Sequence, residues 1–185
     1  MKTRIFLQFI LLVFCVNGIL AQSDGFTVYE KVADATPNIY DNPPYPNDPA
    51  LTKLQQAEVV KMRAYGGWRN GVNGIICKLD IDTEYLDGKS LDVVAWFYFW
   101  NGDPDSKQQK LKDFNGRYRT TNYQVSTSTR YTPTYKNNSR SDFELFIPFS
   151  ELHLGIGVHW ICFDFGVFRQ NKQLTVSDYL VGKVY

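Results

Sequence analysis

The chain has 185 residues, a length that suits one domain with extensions. Its formal net charge is +1, which becomes −1 once the basic residues Lys2 and Arg4 of the N-terminal segment are set aside. No basic field exists to gather phosphates, so nucleic acid and anionic membrane surfaces are poor partners. Aromatics make up 16% of the residues, and Tyr, Thr and Val are plentiful, which favours strands over helices.

Residues 1–21 read as a secretory signal peptide. Lys2 and Arg4 form a positive start, Ile5–Val16 is an apolar run broken only by Gln8, and Ala21 precedes a plausible cut before Gln22. The apolar run is shorter than the roughly 20 residues a spanning helix needs. Leu12-Val13-Phe14 before Cys15 lacks the small residues of a lipoprotein cut site. No later stretch is long and apolar enough to span a bilayer, so the expected product is secreted or periplasmic, with no membrane insertion after cleavage.

Residues 22–57 read as a proline-rich leader. Phe26–Tyr29 suggests a short strand, and Thr36–Pro49 holds five of the eight prolines. Proline fixes φ and lacks a donor, so that piece is extended linker. Ala50–Ala57 suggests a helical turn. The domain proper then occupies 58–185. Glu58–Tyr65 reads as a strand with helix as a competitor, and Gly66–Gly71 as a turn. Ile75–Asp82 alternates apolar and polar residues, and Tyr85–Ser90 with Asp87-Gly88 suggests a hairpin turn.

Leu91–Trp100, LDVVAWFYFW, alternates with a period of two and is apolar on both faces, so it is expected at the centre of a sheet. Leu91, Val93, Ala95, Phe97 and Phe99 share the core face. Val94, Trp96, Tyr98 and Trp100 share the other. Asn101–Gln109 reads as loop, Lys110–Gly116 as a short element with a turn, and Tyr118–Tyr131 as one long strand or two. Thr132–Ser141 reads as loop and Asp142–Pro148 as a strand facing inward at Phe143, Leu145 and Ile147. Glu151–Gly157 is a turn, Val158–Phe168 a second apolar strand, and Leu174–Tyr185 the closing segment. This spacing predicts an all-β fold, an antiparallel two-sheet β-sandwich of about seven or eight strands, with a barrel as the lesser alternative.

The run WFYFWNGD at 96–103, then LKDFNGRYRTTNYQVS at 111–126, TPTY at 132–135 and DFELFIPFSELHLGIGVH at 142–159 resembles a domain of unknown function found in exported and multi-domain bacterial proteins. The resemblance covers about Trp68 to Tyr185, and its most specific piece is Leu145–Phe149 with Glu151-Leu152. It implies a β-sandwich, often appended to other modules, and brings no catalytic residues. Asn122-Tyr123-Gln124-Val125 departs from the glycine-containing pattern of that family, and the proline-rich leader has no counterpart in it.

Several chemistries lack residues to carry them. There is no Gly-x-Ser-x-Gly elbow, no recognisable cysteine nucleophile and no phosphate-cradling glycine loop. His153 and His159, the only histidines, are expected to make local hydrogen bonds and no metal site. Asp80, Asp82, Asp103 and Asp105 would approximate a calcium site if their loops met, and otherwise are solvated acids. No pair of carboxylates is fixed for glycoside hydrolysis. Cys77 and Cys162 fall on opposite phases of their strands, so two buried free thiols are expected, with a disulfide possible only between different layers. Asn137-Asn138-Ser139 is a formal glycosylation triplet that matters only in a eukaryotic secretory pathway.

Trp96, Tyr98 and Trp100, joined by Trp160, remain as the binding candidates. An open aromatic strip would stack on sugars or receive a protein, whereas a covered one is a second core. The expectation is therefore a non-catalytic accessory domain without cofactor. Its partner would be a protein, met on the aromatic face or on an edge strand such as Tyr123–Tyr131, or alternatively a glycan.

Overall fold

A computed structural model describes residues 25–32, 55–103, 106–114 and 116–185. The expected signal peptide, the proline-rich piece Thr36–Pro49, Pro104 and Asp105 lie outside the described residues. Ten strands are described, β1 (Phe26–Val32), β2 (Gln56–Arg69), β3 (Val72–Glu84), β4 (Leu91–Phe99), β5 (Gln109–Lys110), β6 (Ser126–Tyr131), β7 (Asn137–Pro148), β8 (His159–Arg169), β9 (Lys172–Val176) and β10 (Tyr179–Val184), with one 3-10 turn at Phe149–Leu152. All strand pairs are antiparallel. The larger sheet runs β1-β10-β8-β4, with β5 and β6 both on the far side of β4, and β9 pairing with β8. The smaller sheet is β2-β3-β7. The two sheets do not close into a barrel.

The apolar strand β4 sits inside the larger sheet, between β8 and β6. Its core face meets that of β8, so Ala95 lies opposite Phe165 and Phe97 opposite Phe163. Phe97 and Phe163 stack with centroids 5.3 Å apart, and Phe165 packs edge-on to Phe163 at 5.8 Å. Ile75, Cys77, Leu79 and Ile81 of β3 and Phe143, Leu145 and Ile147 of β7 complete the core from the smaller sheet. Each large apolar side chain buried this way contributes roughly 1.5–3 kcal/mol.

Several segments differ from the sequence expectation. Gly66–Arg69 continues strand β2, and only Asn70-Gly71 turns, both with positive φ (51° and 77°). Ala57 is strand, not helical turn, because Gln56–Val59 pairs with Ile81–Glu84. Tyr85–Ser90 makes no hairpin. It carries the chain from β3 in one sheet to β4 in the other. Within Tyr118–Tyr131 only β6 is a strand, because Tyr123 takes a positive φ of 61° and turns the chain. Strand β7 begins at Asn137, within the expected loop, because the long β3 offers Thr83 and Glu84 as ladder partners for Asn138 and Asn137. The ladder shifts register near Asp142, whose φ is 53° and whose N–H donates to Asp80 Oδ1 at 2.9 Å. Phe26–Val32 forms the outer edge strand β1 against β10. Cys77 and Cys162 are buried free thiols, pushed above the usual thiol range by desolvation.

Candidate functional site

The aromatic row is buried at Trp96 and Tyr98 and partly open at Trp100 and Trp160. Trp96 and Tyr98 are only 4% and 1% exposed, which leaves no ring face for a sugar. Trp96 packs edge-on against Phe168 at 5.5 Å and rests over Gly166, while Tyr98 packs edge-on against Tyr179 at 5.6 Å. With Cys162 and Val181 they make a second apolar cluster on the outer face of the larger sheet. Trp100 is half-buried beside it. Trp160 does join the row, since its carbonyl accepts from the Trp100 N–H, and it remains 40% exposed with Lys183 Nζ 5.6 Å from its ring. The strip is therefore continuous, and its reachable part is the Trp100–Trp160 end.

Asp164 sits among these rings at 2% exposure. Desolvation pushes its carboxyl up to about 8, against the pull of the Tyr98 hydroxyl, which donates to Oδ2 at 3.4 Å, and of the Lys110 charge. Its Oδ1 has no hydrogen-bond partner among the described residues. Burial among these rings thus favours the protonated form of the acid.

A second locality lies where the edges of the two sheets meet. Strand β6 pairs with β4 on one side and with no strand of the described residues on the other. The Ser126 N–H is directed away from β4 and donates to the Tyr118 carbonyl at 2.9 Å. Alternate residues of an antiparallel ladder share a side, so Ser128 and Arg130 turn their N–H and C=O groups the same way. The Thr127 hydroxyl donates to the Phe146 carbonyl at 2.8 Å and joins β6 to β7 across the seam. Beside this joint is an open groove of about 320 Å³, walled by Thr127, Ser128 and Thr129 on one side and by Phe146, Pro148, Val72 and Arg69 on the other. The Arg69 guanidinium lies 5.9 Å from the Phe146 ring centroid and 3.5 Å from Glu144. The groove thus offers hydroxyl-bearing residues, two aromatic residues (Tyr118 and Phe146), the Arg69 cation and an open strand edge.

A third locality joins Asp113, Glu151 and His153, whose ligand-capable atoms all lie within 4.8 Å of one another. His153 ends the 3-10 turn in the left-handed region (φ 51°), and its Nε2 reaches Asp113 Oδ1 at 3.1 Å. The expected local bond is made by His159 alone, whose Nε2 lies 2.8 Å from the Gly155 carbonyl. His153 instead meets a residue far away in the chain, because the 3-10 turn packs beside the Lys112–Val125 loop. Of the acids considered for calcium, Asp80 is taken up by Arg63 (3.6 Å) and the Asp142 N–H, and Asp103 is exposed.

Sequence reasoning named β6 as a candidate edge but missed Arg69 and Phe146 as the opposite wall. It also missed the meeting of Asp113 with His153. Neither has a local signal, because both arise from strand order and not from spacing. No family model, curated protein or solved structure matches the chain.

Proposed function

We propose that this protein is a non-catalytic binding domain, secreted or periplasmic, that takes an extended segment of another protein along the β6 edge. The observation that carries the reading is the open edge at Ser128 and Arg130 beside the groove. An extended segment would add as a strand, gain main-chain hydrogen bonds from that edge, and place alternate side chains against Phe146 and Arg69. The apolar N-terminal run with its basic start supports the export part of the reading.

A random 12-residue peptide library displayed on phage tests it. Peptides enriched on the wild-type protein should lose binding to Ser128→Pro, which removes an edge donor at a position where a sheet tolerates proline. Failure to enrich any peptide, or equal binding to the variant, overturns the reading. The glycan alternative draws on Ser128 and Thr129 together with Tyr118 and Phe146, which line one groove. A glycan array that shows a specific hit lost in Arg69→Ala would replace the peptide reading with that one.

A further inference from the structure

We propose that Asp113, Glu151 and His153 form a binding site for a divalent first-row transition ion of the zinc class. The site is separate from the β6 groove and does not depend on the peptide reading.

The donor set argues for this class of ion. It combines two carboxylates with one imidazole nitrogen, the mixture that zinc accepts, whereas calcium prefers six to eight oxygens. The three donor atoms lie within 4.8 Å of one another. Ligands on one tetrahedral zinc at about 2.0–2.2 Å from the metal stand about 3.4 Å apart, so the three side chains would draw together by up to about 1.4 Å on binding.

The surroundings bring the carboxylates together instead of separating them. The Asp113 side chain is only 1% exposed. Its Oδ1 accepts from the Gly116 N–H at 2.6 Å, which aims the carboxyl toward the 3-10 turn. Gly116 also leaves the space that both acids use. A Cβ there would run into the Asp113 carboxylate and lie 2.8 Å from Glu151 Oε2. Two carboxylates converging on one glycine, one of them out of water, repel each other, and a cation at their meeting point reverses the sign of that interaction.

The ligands also stand on segments tied to the rest of the fold. Glu151 and His153 are held by the 3-10 turn that ends β7, and Asp113 is tied by its N–H to the Tyr123 carbonyl at 2.8 Å. Glu151 is half-buried and His153 is 44% exposed, so an ion can enter from solvent and keep a water as its remaining ligand.

Cobalt(II) titration tests the site, because cobalt occupies zinc sites and its visible d–d bands report the ligand field. The purified protein, first treated with a chelator, should take up one equivalent with a visible band. The uptake should be displaced by zinc. His153→Ala and Glu151→Gln, both at positions open to solvent, should keep the native circular dichroism spectrum and weaken uptake at least tenfold. His159→Ala should leave uptake unchanged. No uptake by the wild-type protein, undiminished uptake in either His153→Ala or Glu151→Gln, or loss in His159→Ala each overturns the proposal. A strong near-ultraviolet thiolate band, which would place the ion on Cys77 or Cys162, overturns it as well.

Discussion

Replacing Asp164 by Asn should stabilise this protein and flatten its dependence on pH. Asp164 is 2% exposed, lies opposite Trp96 in the β4–β8 ladder, and has its carboxyl pushed up to about 8 by desolvation. The groups facing it are the Tyr98 hydroxyl on β4, Lys110 on β5 and the Cys162 thiol on β8. In the unfolded chain the same acid ionises near its ordinary value of about 3.9. Its folded value is raised, so its contribution to stability is fully present below about pH 4 and is lost as pH rises toward about 8. Inside that window the folded state holds one proton more than the unfolded state. Stability then falls by about 1.4 kcal/mol per pH unit from this group alone, and by roughly 4 kcal/mol at pH 7.

Asn has the same shape and no charge to lose. Its amide must find partners in the same apolar surround, and an unmade hydrogen bond costs about 1–3 kcal/mol. The net gain expected at pH 7 is therefore about 1–3 kcal/mol. Urea unfolding followed by tryptophan fluorescence, at about pH 5, 6, 7 and 8, measures both quantities through the midpoints at constant m. The wild-type midpoint should fall steadily across the series while that of the variant falls less. Parallel slopes for the two proteins between about pH 5 and 7 would refute the assignment of a neutral buried acid.

The remaining expectations follow from packing. Phe163→Ala removes a ring that meets Phe97, Phe165 and Phe26, and should cost about 3–5 kcal/mol by chemical denaturation. Gly166→Ala places a Cβ 2.6 Å from the Trp96 ring, so it should cost about 1–3 kcal/mol and shift tryptophan emission to the red. Trp68 is 64% exposed against 4% for Trp96, so Trp68→Phe should remove much of the acrylamide-quenchable fluorescence and Trp96→Phe little of it. Cys77 and Cys162 are buried with raised thiol pKa values, so a thiol reagent should label them slowly in the native protein and fully in urea.

The fold class was legible because residue type follows a period of two in the strongest strands, although burial runs unbroken over Ile161–Val167. Leu91–Trp100 and Val158–Phe168 announce themselves by alternation, and they do lie side by side in the larger sheet. Boundaries were less legible where pairing partners overrode composition. Asn137–Ser141 looks like loop by its polar residues, yet β3 is long enough to hold it as strand. Tyr85–Ser90 carries good hairpin chemistry, but turn residues do not say which sheet the next strand joins. The aromatic row was legible as a row, and its burial was not, since alternation assigns a face and says nothing of what covers it. Asp113 and His153 stand in two separate turns, and their meeting depends on the 3-10 turn packing beside a loop, which no spacing rule encodes.

The distribution of burial narrows where recognition can occur. The larger sheet buries its inner face in the main core and the middle of its outer face in the Trp96–Tyr98 cluster. A sheet buried on its inner face and in the middle of its outer face leaves a partner its edges, its end loops and the Trp100–Trp160 end of the outer face. Among the described strands, one edge is formed by β1 and β9, and the opposite one is shared by β5 and β6. Strand β5 is only two residues long, so β6 is the stretch there with enough length to template another strand. An exposed edge invites unwanted pairing, and natural sheets blunt it with charge, twist or cover. Here the Thr127 hydroxyl joins the β6 edge to β7, Arg130 stands near its end, and Ser128 and Thr129 beside the groove carry neither charge nor proline. An edge left unguarded next to a groove is the arrangement that the proposed strand addition requires.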